Sequence, residues 1–174
     1  MPHTLATSKV AAKTSQGVVG LDFGSSFNAM VVWSGGTNKP TAVDDYDGAP
    51  TLHSQRPREI PEVPSVVSVS SGGGVVAGYP ALTAHGTLFT NIKSALSDDD
   101  SDMSTELREQ LEKKLRVVNA SLKEDPLSGR HLIAGILLYQ YEHLDQWCRS
   151  RKIPMPRKTI ATHPVSWRAE TIIE

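Results

Sequence analysis

Cysteine is nearly absent. Cys148 is the only one among 174 residues, which excludes an internal disulfide and suits a reducing compartment, so a cytoplasmic location is expected. The six histidines show no His-x-x-x-His spacing and there is no Cys-x-x-Cys pair, which argues against a structural zinc site. Long apolar runs are lacking too. The longest lies near Leu132 to Leu138 and is interrupted at Gln140, far short of the roughly 20 residues of a membrane-spanning helix, so no membrane partner is expected. Neither charge sign dominates: a formal net charge of −1 and a pI near 6.6 supply no basic field for nucleic acid. The first 16 residues contain no acidic residue and no arginine, and they read as a disordered N-terminal tail rather than a transit segment.

What is present is an ordinary globular composition, 39% hydrophobic and 21% charged, in a chain long enough to bury about two-thirds of its unfolded surface in one core. Its organising stretch is Val18 to Trp33, where two Val-rich runs flank Asp22-Phe23-Gly24-Ser25-Ser26. The pattern predicts a strand, a tight turn and a returning strand, both of the type buried on two faces. Gly24 frees the turn of Cβ hindrance, so the amides of Gly24, Ser25 and Ser26 can converge on an anion. Asp22 beside phosphate oxygens makes electrostatic sense with a hard cation such as Mg²⁺ between them. A plain hairpin turn satisfies the same residues.

Pro40 to Val43 can add a third strand, and Asp44 to Pro61 reads as a surface excursion. Val63 to Val69 and Gly74 to Gly78 predict a second hairpin. Leu88 to Leu96 predicts a short helical or irregular segment carrying Lys93, and the acidic run at Asp98 to Asp102 reads as solvated loop, without the glycine and glutamate of a calcium loop. Ser104 is placed to cap a helix whose Leu107, Leu111, Leu115, Val118 and Leu122 form one face. Asp125-Pro126 is placed to start the next helix, with Ile133, Ile136, Leu137, Tyr141, Leu144 and Cys148 as its stripe. Lys158 to His163 reads as a buried-type strand stopped by Pro164, and Trp167 as the start of a helix. This order predicts an α/β domain with a mixed sheet.

Three separated segments resemble the ATPase domain of the heat shock protein 70 family, within the actin and sugar-kinase superfamily. Gly20-Leu21-Asp22-Phe23-Gly24-Ser25-Ser26-Phe27 resembles its first phosphate loop, with serines in place of two threonines. Pro64-Ser65-Val66-Val67 with Ala77-Gly78 resembles a Pro-Ser-x-Val strand and the strand after it, and Leu88 to Lys93 resembles the segment of the catalytic lysine, with one residue inserted. The helix near 126–151 followed by Thr159 to Trp167 is similar to the helix, strand and turn of the same domain. Two departures stand out: Ser94 follows the lysine where a basic residue is common, and Asp98 to Lys123 is more helical than the family pattern.

The resemblance implies a ribonuclease H-like mixed sheet with flanking helices over residues 17–174, an incomplete N-terminal lobe of an actin-like ATPase domain. It implies that Gly24, Ser25, Ser26 and Phe27 hold the phosphates of ATP or ADP, that Asp22 orients magnesium water, and that Lys93 is catalytic. A solvated lysine at a helix end is the alternative for Lys93. The family's second phosphate loop and adenosine loop would lie beyond Glu174, so the expectation is a truncated fragment that binds nucleotide weakly, does not hydrolyse it at a useful rate, and exposes apolar surface. Expected partners are nucleotide and, in a longer parent chain, co-chaperones and client proteins. A protein-interaction module that keeps the fold without ATP turnover is the alternative function.

Overall fold

The computed structural model describes residues 17–34, 39–44, 61–97, 101–122 and 125–162. The expected tail at 1–16, the heart of the 44–61 excursion, residues 98–100 of the acidic run and the helix expected from Trp167 lie outside the described residues. Among those described, the chain is mixed α/β with two sheets and three helices.

In the first sheet, β1 (Val18–Phe23) and β2 (Phe27–Trp33) form the expected hairpin, with Asp22 opposite Ala29 and Phe23 opposite Asn28. Strand β3 (Thr41–Ala42) extends it beside β2, and β4 (Val63–Pro64) pairs with the start of β2. The last strand described, Lys158–Ala161, runs parallel to β1 on its other side, which makes the sheet mixed. The hairpin strands are not buried on both faces. Val19, Leu21, Phe23, Met30 and Val32 form a buried row, while Asp22, Phe27 and Trp33 on the opposite row are exposed. Alternation of this kind is the signature of a sheet covered on one side.

The second sheet is antiparallel, with β5 (Val67–Val69) between β6 (Val75–Ala77) and β7 (Thr87–Phe89). The expected 63–69 run is therefore divided between the two sheets, with Ser65 and Val66 at the crossing. Next comes a single helical turn, α1 (Ile92–Ala95), entered through Asn91 at φ 53°. Asparagine tolerates that left-handed conformation better than most residues.

Helix α2 (Asp102–Asn119) starts earlier than the sequence suggests. Its cap is Ser101, whose hydroxyl accepts from the Ser104 amide at 3.3 Å, while Ser104 is buried in the first turn. Helix α3 (Gly129–Ser150) starts later, with Ser128 as its cap and His131 Nδ1 accepting from the Ser128 amide at 2.9 Å. The delay has a cause in Asn119. Its side chain donates to the Leu127 carbonyl and accepts from the Leu127 amide, both at 2.8 Å, so Leu127 is bound to the end of α2 rather than to a helix of its own. The buried stripe of α3 is Leu132, Ile136, Gln140, His143, Leu144, Trp147 and Cys148. Leu137 and Tyr141, expected in it, are exposed.

The strand after α3, β8 (Lys158–Ala161), is exposed at all four residues, and Ile160 reaches 67%. It lies at the end of the described strand order, with β1 as its one neighbour, so the buried-type character expected of it is not found. The core gathers the buried row of the first sheet, Val67, Val69 and Phe89 of the second, Ile92 of α1 and the inner faces of α2 and α3. Each such side chain, fully buried, contributes about 1.5–3 kcal/mol.

Candidate functional site

Strand alternation decides what the end of β1 presents. Asp22 falls on the exposed row and Phe23 on the buried one. Thr162, the residue after β8, secures this end: its amide donates to the Leu21 carbonyl at 2.9 Å, its hydroxyl donates to Asp22 Oδ1 at 2.7 Å, and its hydroxyl oxygen accepts from the Phe23 amide at 3.1 Å. The carboxylate is thus held at one oxygen.

The turn that follows has room for glycine alone at position 24, because a Cβ there would collide with the Phe27 carbonyl. Ser65 holds the turn from beneath. Its amide donates to the Ser26 carbonyl at 2.8 Å and its hydroxyl donates to the Gly24 carbonyl at 3.0 Å, and the side chain is buried. With the carbonyls of Gly24 and Ser26 bound and Gly24 set against the Phe27 carbonyl, the amides of Ser25 and Ser26 donate to no backbone acceptor among the described residues. Nor do the hydroxyls of Ser25 and Ser26 bond to any described residue. Unmatched donors clustered at a turn suit an anion.

Lys93 is no solvated lysine. It is 1% exposed, its ammonium donates to Asn28 Oδ1 at 2.7 Å, and its Nζ lies 3.4 Å from the centroid of the Phe23 ring. Burial pushes its pKa down to about 7, while the charge of Asp22 pulls in the opposite direction. Asn28 is buried as well, and its Nδ2 has no hydrogen-bond partner.

The structure therefore brings Lys93 to residues flanking the expected loop, although Lys93 and the loop are far apart in sequence. It does not put Lys93 and Asp22 on the same face of the hairpin: Lys93 contacts the row of Phe23 and Asn28, and Asp22 lies on the other. Phe27 is half exposed and pairs with Pro64. Asn28, Ser65, Thr162 and the ring of Phe23 were not singled out from sequence. The sequence hints only at Asn28, the one polar side chain in the Asn28, Met30, Val32 row, and not at its role.

Amides and hydroxyls at the turn are donors of the type a phosphate group takes, and the Lys93 ammonium lies on the buried side of the flanking residues Phe23 and Asn28. For a divalent cation the fit is narrower. Among the described residues no three His, Cys, Asp or Glu side chains gather, so Asp22 would act on a cation held chiefly by phosphate oxygens and water, the usual manner of magnesium. Cavities of about 400 and 520 Å³ lie elsewhere, against β5, β7 and α2 and between α1, α2 and the start of α3, and neither touches the loop. No described helix is long and apolar enough to cross a membrane. No protein-family model and no curated protein matches the chain.

Proposed function

We propose that this chain is the N-terminal part of an ATP-binding, heat shock protein 70-like nucleotide-binding domain with a ribonuclease H-like, actin-type sheet, in which the loop from Asp22 to Ser26 holds the nucleotide phosphates. The observation that carries the reading is the placement of Lys93, packed on the first and last residues around the loop, Phe23 and Asn28. A structural lysine gains little from such burial, whereas a cation for phosphate oxygens gains strength where water is excluded.

In this reading the amides of Gly24, Ser25 and Ser26 and the two serine hydroxyls bind and orient phosphate oxygens. Lys93 approaches from the buried side and balances their charge. Asp22, its carboxylate fixed by Thr162, orients water at the exposed side. Asp22 would hold magnesium through its water, and the ion would supply neutralisation of phosphate charge. Co-chaperones and client proteins belong to the same reading of the parent chain. The alternative, an interaction module without turnover, draws on the exposed Leu137, Leu138 and Tyr141, which share one side of α3.

Calorimetry with Mg-ATP and Mg-ADP tests the reading. Binding is expected for the unaltered chain and not for Gly24→Val, whose side chain would force the turn open against the Phe27 carbonyl. Lys93→Ala should weaken binding as well. Equal affinity in all three proteins, or none in the unaltered chain, would leave the loop a plain hairpin and favour the interaction module.

A further inference from the structure

We infer that Asn28 is a positioning residue of this loop: its carboxamide oxygen holds the Lys93 ammonium in place, and its carboxamide nitrogen donates to the anion that the loop binds. The inference rests on the phosphate reading above. Asn28 occupies a core position of β2, on the same row as Met30 and Val32, where an apolar side chain would be the ordinary choice. Its orientation follows from its neighbour. In its protonated form, the form that would face a bound anion, Lys93 can only donate, so the oxygen faces it at 2.7 Å and the nitrogen is left over. That nitrogen is buried and has no partner. A buried donor without an acceptor is costly, and native proteins keep few of them outside places where another group completes the bond.

Among the described residues nothing supplies the missing acceptor, and the one counter-charge that acts on Lys93 is Asp22. From β1, Lys93 meets the Phe23 ring, and Asp22 is on the opposite row. From α2, the Arg108 guanidinium is engaged with the carbonyls of Ala95 and Ser97. The approach of α3 to α1 includes Gly129 against the apolar Leu96. What remains at the side of the loop is a buried ammonium and a buried amide N–H₂, a donor pair of the kind that a phosphate oxygen completes.

The test titrates the full chain with tripolyphosphate at pH 8, by calorimetry in two buffers of different ionisation enthalpy. With a Lys93 pKa near 7, the free chain carries mostly neutral Lys93 at that pH, so anion binding should draw in a proton. Asn28→Ala would leave a buried lysine with no partner, so the isosteric Asn28→Asp is the informative variant. It keeps an acceptor for Lys93, removes the N–H₂ and gives the ammonium a permanent counter-charge. At least tenfold weaker binding with the loss of proton uptake is expected. Should the unaltered chain bind while Asn28→Asp retains either the affinity or the proton uptake, the inference fails and the phosphate loop survives. If the unaltered chain binds no tripolyphosphate, both are overturned.

Discussion

Burying an ammonium costs free energy in proportion to the hydration it gives up, and Lys93 recovers part of that through one amide oxygen and one aromatic face. The balance is visible as a pKa lowered to about 7, with desolvation outweighing the pull of Asp22. The unfolded chain holds the same lysine near the ordinary value of about 10.4. Between these values the unfolded state carries a proton that the folded state lacks, so stability should rise with pH from about 7 to about 10, by no more than about 1.4 kcal/mol per unit. Below pH 7 both states are protonated and this contribution is flat. Urea unfolding at a series of pH values, compared with Lys93→Met, isolates the effect, because the other titrating groups are common to both proteins. The difference between the two stability curves should slope across that window; parallel curves would show Lys93 to be hydrated in the folded chain.

At the scale of elements, the sequence carried the hairpins and helix faces well and the helix starts poorly. Periodicity placed Leu111 and Val118 on the inner face of α2, with Leu107, Leu115 and Leu122 packed at its margin. The starts depended on contacts between residues that no local pattern links. Ser104 has the right residue type for a cap, but Ser101 holds the extended backbone of the cap position at ψ 150°. Asp125-Pro126 has the right dipeptide, but Asn119 binds Leu127 and delays α3. The loop glycine was legible because its chemistry is local; Ser65 and Asn28 were not, because their roles exist only once β4 and α1 are folded against the hairpin. The Asn119 tether makes a specific prediction. Asn119→Ala removes two hydrogen bonds and leaves the amide and carbonyl of a half-buried Leu127 unmatched, at a cost of about 1–3 kcal/mol. Ser101→Ala should cost about 1 kcal/mol, the usual value of a cap. A urea midpoint unmoved by Asn119→Ala would mean that water replaces the tether without loss.

For the whole molecule, the two sheets share no strand, and α3 joins them. Its length packs on β5 and β6 of the second sheet. Its last turns reach the first sheet through Asp44, just after β3, where one carboxylate oxygen accepts from Trp147 Nε1 and from Arg151 Nη2, each at 2.7 Å. The two donors differ in worth. Trp147 is buried, so its bond is made with little competition from water, while the Arg151 pair is partly exposed and contributes about 0–1 kcal/mol. Trp147→Phe keeps much of the packing and removes the indole donor, and should cost about 1–3 kcal/mol. Asp44→Asn should cost less, since its amide oxygen still accepts from the indole. If α3 makes the sheets one cooperative unit, the slowest-exchanging amides of Val19 and Leu21 and those of Val67 and Val69 report the same opening free energy. Trp147→Phe should then lower both sets by the same amount in native-state hydrogen exchange. A loss confined to Val19 and Leu21, with Val67 and Val69 unchanged, would show that the sheets open separately and that the clasp serves the first sheet alone.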